Sequence, residues 1–284
     1  MKTCDAHTDF LTEIKNINER ENYIKVIKKN IKIISCAVFT TNSTISVEDV
    51  ENFKFELEKY NRKFNTKLLL SIEDLGFIKT EEDLIELIKL KPFSVSLTWN
   101  NANQYAGGAH TNKSLSKLGI ETIRLLENAN ILIDTAHLSR RAFNQFCKIT
   151  NKPIYNSHSN IFTLHKHRRN LTDKEIKKIV NADGFLGVTI YEKFISNEKI
   201  NCRDVALQFD YLIKKFGYKN FGLGTDLFGI ENKYLPKNFK SYYDVENLIY
   251  ELKKLNYSNK IIKAIIYKNY ENFIKRSRKP LKID

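Results

Sequence analysis

Residues 130–150 read NILIDTAHLSRRAFNQFCKIT, an apolar run that ends in polar residues and passes directly into a helical pattern. The first part, NILIDTAH, has the length and apolar content of a buried strand, and SRRAFNQFCKIT spaces its apolar residues as a helix does. The same succession recurs along the chain. The other strand-like runs lie at 2–10, 32–40, 66–76, 93–100, 153–159, 184–191 and 220–229, and helical segments separate them.

Eight such strands divide the 284 residues into repeats of about 35 residues, close to the length of a strand-helix unit. Alternating strands and helices predict an α/β fold with a parallel sheet, and eight units predict a closed (β/α)8 barrel of the TIM type. An open, doubly wound sheet is the alternative. No Gly/Ser-rich linker interrupts the chain, so residues 1–284 are predicted to form one domain. Residues 258–279 are predicted to form closing helices and a solvated basic tail.

The composition indicates a globular protein, with 42% hydrophobic and 28% charged residues. No run of 18 or more apolar residues exists, so no membrane span is predicted. The net charge of +14 is spread along the chain without a dense stripe of arginine and aromatic residues, so a nucleic-acid partner is not expected. The four cysteines form no CxxC pair and are expected to be reduced thiols. The N-terminus has no apolar leader, which predicts a cytoplasmic protein.

Several of the predicted strands end in side chains that bind metal ions. In chain order these are His7, Asp9, Glu73, His137, His158 and Asp226. In a barrel the carboxyl ends of all strands surround one mouth, so these residues are expected to meet there. Burying so many charges without a cation would be costly, and imidazole with carboxylate suits zinc, with another divalent first-row metal such as manganese as the alternative. Asp5 shares a strand face with His7 and is expected either to orient a ligand or to make an ordinary strand-end hydrogen bond.

Seven motifs follow one another in the order DAHTDF, SIEDLG, SLTWNNANQYAGGA, ILIDTAHLS, PIYNSHSN, HKHRRNLTD and FGLGTD. In this order, from about residue 3 to about residue 277, the chain resembles the bacterial cytoplasmic branch of the membrane (renal) dipeptidase family. Members of that family are binuclear zinc peptidases with a metal-dependent-hydrolase barrel. The resemblance implies two zinc ions per chain. It implies ligands of the first ion at His7 and Asp9, a bridging carboxylate at Glu73, and ligands of the second ion at His137 and His158.

The resemblance also implies how the protein acts on its substrate. A hydroxide that bridges the two ions would attack the peptide bond of a dipeptide, and Asp226 would pass a proton to the leaving amine. Arg169 matches the arginine that holds the terminal carboxylate of the substrate, with Arg168 as the neighbouring alternative. Such a clamp favours small dipeptide substrates over longer peptides. Because this family often forms dimers, a homodimer is a candidate assembly.

Two positions depart from the mammalian members of the family. Trp99 stands where those proteins have a histidine that helps to hold the substrate and its oxyanion, and an indole donates a hydrogen bond but accepts none. Phe228 stands where a further aspartate is common. The loop at 100–112, with a hinge at Gly107 and Gly108, is interpreted either as a lid over the mouth or as an ordinary surface loop.

The leading hypothesis is therefore a zinc-dependent dipeptidase. Another binuclear-metal hydrolase on the same barrel, such as a TatD-like phosphoesterase or DNase, is an alternative, although that group pairs two histidines where this chain has His7 and Asp9. A non-catalytic metal-binding homologue is the third hypothesis. His165 and His167 have the spacing of ligands, but they lie in a loop rich in lysine and arginine that would repel a cation, so they are not expected to bind one.

Overall fold

The computed structural model describes residues 1–39 and 45–277. Within these residues the strands are β1 (Thr3–Thr8), β2 (Ile31–Phe39), β3 (Leu68–Glu73), β4 (Ser94–Ser96), β5 (Leu132–Asp134), β6 (Tyr155–Ser159), β7 (Phe185–Val188) and β8 (Phe221–Leu223). Neighbouring strands are parallel, and the sheet closes from β8 back to β1 in sequence order. The predicted closed barrel of eight strands is confirmed, and the alternative of an open sheet is wrong.

Helices follow the strands and surround the barrel. They are α1 (Phe10–Glu13), α2 (Ile17–Ile27), α3 (Val47–Phe64), α4 (Glu81–Lys89), α5 (Lys117–Asn128), α6 (Arg140–Ile149), α7 (Asp173–Asn181), α8 (Glu192–Ile195), α9 (Cys202–Phe216), α10 (Val245–Lys254), α11 (Asn259–Lys263) and α12 (Asn269–Ser277). Helices α3, α4 and α7 begin at capping boxes, in which Ser46, Thr80 and Thr172 each pair with an acidic residue three positions later. Across the described residues, each helix is too short or too polar to cross a lipid bilayer.

Aromatic side chains close the N-terminal end of the barrel. A π-helical segment (Ala264–Lys268) leads into α12, which places Tyr270 and Phe273 against Tyr155 and Phe185 at ring-centroid distances of 4.8 to 6.3 Å. The predicted closing helices are therefore present, whereas the predicted basic tail after Ser277 lies outside the described residues. Because one end of the barrel is filled, a site for small molecules is left to the opposite, C-terminal end.

Several strands end earlier than the sequence indicates, and two of them carry predicted site residues. β5 ends at Asp134 and β8 at Leu223, so His137 and Asp226 lie in the loops that follow these strands rather than on the strands. The Asp134 carboxylate accepts hydrogen bonds from the backbone N–H groups of Ala136 and Ser157, both at 3.0 Å. A carboxylate that takes these donors turns the chain away from the strand ladder, and this shortens β5.

Candidate metal centre and substrate cavity

Six side chains of the predicted site converge at the C-terminal end of the barrel. They come from β1, β3, β6 and the loops after β1, β5 and β8, and are His7, Asp9, Glu73, His137, His158 and Asp226. The first five are buried, and the side chain of Asp226 keeps 16% of its exposure. Residues up to 219 positions apart in the chain thus lie around one point, as the barrel geometry predicts.

Glu73 lies at the centre of this cluster, with its two carboxylate oxygens facing different histidines. Oε2 is 3.6 Å from His7 Nε2. Oε1 is 2.7 Å from His137 Nε2 and 3.8 Å from His158 Nε2, and these two nitrogens are 2.9 Å apart. A carboxylate placed between one imidazole and a pair of imidazoles in this way has the arrangement that a ligand shared by two cations needs.

The other side of the cluster is acidic. His7 Nε2 lies 3.4 Å from Asp9 Oδ2 and 3.8 Å from Asp226 Oδ1. A Cβ atom at Gly229 would lie 2.2 Å from Asp9 Oδ2 and 2.4 Å from Asp226 Oδ1, so only glycine lets the backbone pass this close to both carboxylates. The sequence analysis does not single out Gly229, because its role depends on two side chains that are distant in the sequence.

The donor atoms of the cluster suit divalent metal ions. Two sets of three side chains, each with its donor atoms within 4.8 Å of one another, share His7: the first adds Glu73 and His158, and the second adds Asp9 and Asp226. Among the described residues, His7 Nε2 and Asp9 Oδ1 are buried without a hydrogen-bond partner. Buried polar atoms normally have hydrogen-bond partners. Two such atoms that lack one and face other ligand atoms therefore fit the presence of a cation at this place.

Polar neighbours hold the outer nitrogens of two histidines. Asn100 Oδ1 lies 3.0 Å from His137 Nδ1, and Ser157 Oγ lies 2.8 Å from His158 Nδ1. A hydrogen bond at Nδ1 fixes the ring and leaves Nε2 to face the cluster, as in metal-binding histidines. These supporting residues are missing from the sequence analysis, and nothing about an asparagine in a loop or a serine in a strand distinguishes them there.

Burial keeps the two histidines neutral. Burial, together with the charge of Arg169, lowers the pKa of His137 to about 3, and burial with the charge of His7 lowers the pKa of His158 well below its ordinary value. Neutral imidazole is the form that binds metal ions. Burial and the negative charge of Asp9 raise the pKa of Asp226 well above that of an ordinary carboxyl group. Asp226 therefore takes up a proton more readily than an ordinary carboxyl group does.

Asp5 supports the loop after β8 instead of an imidazole ring. Its carboxylate accepts hydrogen bonds from the Thr225 backbone N–H at 2.8 Å, from the Thr225 hydroxyl, and from the Tyr242 hydroxyl at 2.8 Å. It also accepts a bond from the backbone N–H of His7 at 3.3 Å. Thr225 precedes Asp226, whose φ of 62° lies in the left-handed region. Asp5 thus fixes the backbone that presents Asp226.

A cavity of about 440 Å³ opens above the cluster. Arg169 is buried in its wall, where Nη2 lies 3.1 Å from His137 Nε2 and 3.3 Å from the His158 carbonyl oxygen, and Nη1 lies 3.4 Å from Ser159 Oγ. Arg168 is exposed and donates to the His110 carbonyl oxygen. Of the two adjacent arginines, Arg169 therefore faces the cavity and Arg168 faces the surface.

The two departures from the mammalian pattern lie in different surroundings. Trp99 lines the cavity and stacks on His137, with ring centroids 6.0 Å apart, and Phe39 packs edge-on against it at 5.4 Å. Phe228 has a φ of 73° and packs against Tyr23 at 4.8 Å, outside the cavity lining. Trp99 is therefore placed to contact a ligand, whereas Phe228 contributes to packing of the loop after β8.

The loop at 100–112 is held down at several points. Gly107 N–H donates to the Ser114 carbonyl at 3.1 Å, and the Gly107 carbonyl accepts from Ser139 N–H at 2.8 Å. A Cβ at Gly107 or Gly108 would lie 2.3 Å from a backbone oxygen, so close packing of the chain accounts for glycine at both positions. This geometry favours the interpretation as an anchored loop over that of a hinged lid.

The histidines outside the cluster make other contacts. His167 lines the cavity, packs against Phe194 with tilted rings 4.5 Å apart and accepts a hydrogen bond from Arg169 N–H at 3.2 Å. His110 also lines the cavity. Among the described residues, neither of them nor His165 belongs to a three-residue set that could hold an ion.

Comparison with known proteins identifies relatives of this chain. The family model described as "Membrane dipeptidase (Peptidase family M19)" matches residues 3–278. An uncharacterized dipeptidase of Schizosaccharomyces pombe is 28% identical over 182 residues, which cover 61% of this chain and 43% of that protein. An uncharacterized Klebsiella pneumoniae protein from the pqqA 5′ region is 26% identical over 213 residues, covering 70% of this chain and 78% of that protein. The chain thus spans less than half the length of the yeast relative.

Solved structures share the fold. A Rhodobacter sphaeroides metallopeptidase, liganded with a phosphinate mimic of the dipeptide L-Ala-D-Ala, matches with a TM-score of 0.83 and 16% identity, covering 98% of this chain and 99% of that chain. A structure described as dipeptidase AC, a family M19 metallopeptidase, matches with a TM-score of 0.85 and 16% identity, covering 98% of both chains. Because the sequence identity is this low, the likeness to these structures concerns the fold, that is, the barrel and its connections.

Proposed function

The chain belongs to the membrane dipeptidase family, and we propose that it is a metal-dependent dipeptidase that hydrolyses the peptide bond of small dipeptides. One observation carries the proposal. Side chains from five strands and their loops converge on Glu73, and two buried ligand atoms there, His7 Nε2 and Asp9 Oδ1, have no hydrogen-bond partner among the described residues. A metal site explains this cluster better than a contribution to barrel stability does, since buried charges without a cation are costly.

The metal is proposed to be a pair of zinc ions, with another divalent first-row metal as the alternative. His7 and Asp9 would hold one ion, His137 and His158 the other, and Glu73 would contribute one oxygen to each. The split of the Glu73 oxygens between His7 and the other two histidines supports this division. Bound there, the metal supplies Lewis acidity at the scissile carbonyl and makes water a stronger nucleophile.

Asp226 is proposed to carry the proton. Its carboxyl group lines the cavity beside Asp9, and its raised pKa lets it accept a proton from the attacking water and give it to the leaving amine. Asp5 acts through the backbone, since its carboxylate accepts hydrogen bonds from Thr225 and Tyr242 and so holds the loop that presents Asp226.

Arg169 is proposed to bind the terminal carboxylate of the substrate. Its guanidinium is buried in the cavity wall, and its Nε has no hydrogen-bond partner among the described residues. A guanidinium pairs with a carboxylate through two parallel hydrogen bonds, so a free C-terminus would satisfy it. The arginine lies 3.1 Å from His137 Nε2, which supports a substrate whose terminal carboxylate follows the scissile bond closely, as in a dipeptide. Trp99, which also lines the cavity, is proposed to contact that substrate.

A substrate panel tests the proposed function. The purified protein, loaded with zinc, is assayed on free dipeptides, on the same dipeptides with an amidated C-terminus, on tripeptides and on a phosphodiester such as bis(p-nitrophenyl) phosphate. We expect hydrolysis of free dipeptides and much weaker hydrolysis of the amidated and longer peptides. Turnover of the phosphodiester without turnover of any dipeptide would favour the phosphoesterase alternative. Metal binding without turnover of either would favour a non-catalytic homologue.

The remaining expectations concern the location, the domain organisation and the partners of the protein. We propose a cytoplasmic location, supported by the four cysteines, all unpaired thiols. We also propose a single catalytic domain, supported by the closed barrel that the eight strands form. The homodimer and the absence of a nucleic-acid partner stay predictions.

A further inference from the structure

A lysine without a carboxylate partner lies in the cavity wall. Lys193 lines the cavity and is exposed to solvent, and its Nζ lies 4.0 Å from the centre of the Tyr234 ring. Among the described residues no carboxylate lies within ion-pair distance of Lys193, and the neighbouring Glu192 is paired with Lys199 at 3.1 Å. The Tyr234 ring thus holds the Lys193 ammonium group at the cavity, and no carboxylate of the described residues pairs with it.

Lys193 lies on the same wall as Arg169. The next residue, Phe194, places its ring 5.5 Å from the Arg169 guanidinium carbon and also packs against His167. Tyr191 packs edge-on against both Phe194 and Tyr234, at 4.7 and 5.8 Å. The rings of Tyr191, Phe194 and Tyr234 therefore form one continuous aromatic wall, with Arg169 against its buried end and Lys193 at its exposed end.

Acidic and basic side chains both line the cavity. The carboxylates are those of Asp9, Glu13, Glu73 and Asp226, and the cations are Arg169, in the loop after β6, and Lys193, in α8, both beside the aromatic wall. If Arg169 holds the terminal carboxylate, the side chain of the C-terminal residue is the part of a dipeptide nearest to this wall. A negative charge on that side chain would meet Lys193.

We propose that Lys193 selects dipeptides whose C-terminal residue has a carboxylate side chain, aspartate or glutamate. This inference rests on the proposed function and specifies the substrate class of the same site. The contact is made at the exposed rim, where an ion pair reaches about 1 kcal/mol, so the expected preference for an acidic residue over its amide is about fivefold in kcat/KM. Because exposed charges are screened by salt, the preference should shrink at high ionic strength.

Matched pairs of substrates test the inference. The zinc-loaded enzyme is assayed on Ala-Asp and Ala-Asn, and on Ala-Glu and Ala-Gln, which differ in charge but hardly in shape. We expect the acidic member of each pair to be the better substrate. Lys193→Met should bring the ratio of the two kcat/KM values close to one, and Lys193→Glu should turn it below one.

Lys233→Met is the matched control. Lys233 also lies over the Tyr234 ring, at 4.9 Å, but it pairs with Glu231 at 2.7 Å and does not line the cavity. Its removal should leave the ratio at the wild-type value. A wild-type ratio near one, or a preference that survives in Lys193→Met, would overturn this inference and leave the dipeptidase assignment intact. Failure to cleave any dipeptide would contradict the proposed function and this inference with it.

Discussion

Removal of divalent metal is expected to reduce dipeptide hydrolysis to the uncatalysed rate, and zinc is expected to restore it. The first reason is that the ligand atoms of His7, Asp9 and Glu73 face one another in a buried cluster. The second is that, among the described residues lining the cavity, the only other groups that could polarise the scissile carbonyl are cations suited to binding carboxylates. The measurement is turnover of a free dipeptide after dialysis against a chelator, followed by titration with zinc.

The fold provides the control for this experiment. The apolar core and the aromatic cluster that closes the barrel lie away from the metal cluster, so the metal-free protein should stay folded by circular dichroism. A ligand at 100 times its Kd adds about 2.7 kcal/mol to the free energy of unfolding, so zinc should raise the melting temperature. Undiminished turnover by protein that is free of metal would contradict the proposed mechanism.

Asp226→Asn is expected to lower kcat by about 10² to 10⁴, the usual contribution of a general acid–base group. An amide keeps the size of the carboxyl group but cannot take up and release the proton. Asparagine also tolerates the left-handed backbone that position 226 adopts, with its φ of 62°, so the loop after β8 should keep its shape. The measurements are kcat and metal content on the same preparation.

Asp183→Asn is a suitable control for this change. Asp183 also has a positive φ, of 48°, but it is exposed and lies just before β7, at the opposite end of the barrel from the site. The same chemical change there should leave kcat unaltered. If Asp226→Asn kept full kcat, Asp226 would have no part in proton transfer; if it lost the metal, the residue would act as a ligand.

The fold and the centre of the site were accessible from the sequence because both depend on periodic patterns. Apolar strands alternating with helical segments predict the barrel, and the barrel in turn predicts that His7, Glu73 and His158, at the ends of distant strands, meet. Strand ends were less accessible. The side chain of Asp134 stops β5 by capping backbone donors, and an aspartate in an apolar run gives no sign of this.

The surroundings of the site depend on contacts that no local pattern records. Asn100 reaches the outer nitrogen of His137, 37 positions away, only because the barrel brings the loops after β4 and β5 together, whereas Ser157 is the chain neighbour of His158 and its contact depends on the rotamers of the two side chains. The arginine pair illustrates the same limit. Arg168 and Arg169 are chemically identical neighbours, and the direction of the loop after β6 decides that only Arg169 is buried in the cavity.

The most direct test of the metal centre is a crystal structure of the zinc-loaded protein with anomalous diffraction data measured at the zinc edge. We expect two anomalous peaks that flank Glu73, one beside His7 and Asp9 and the other beside His137 and His158. No peak at the mouth of the barrel, or peaks only at other histidines such as His165 and His167, would contradict the account.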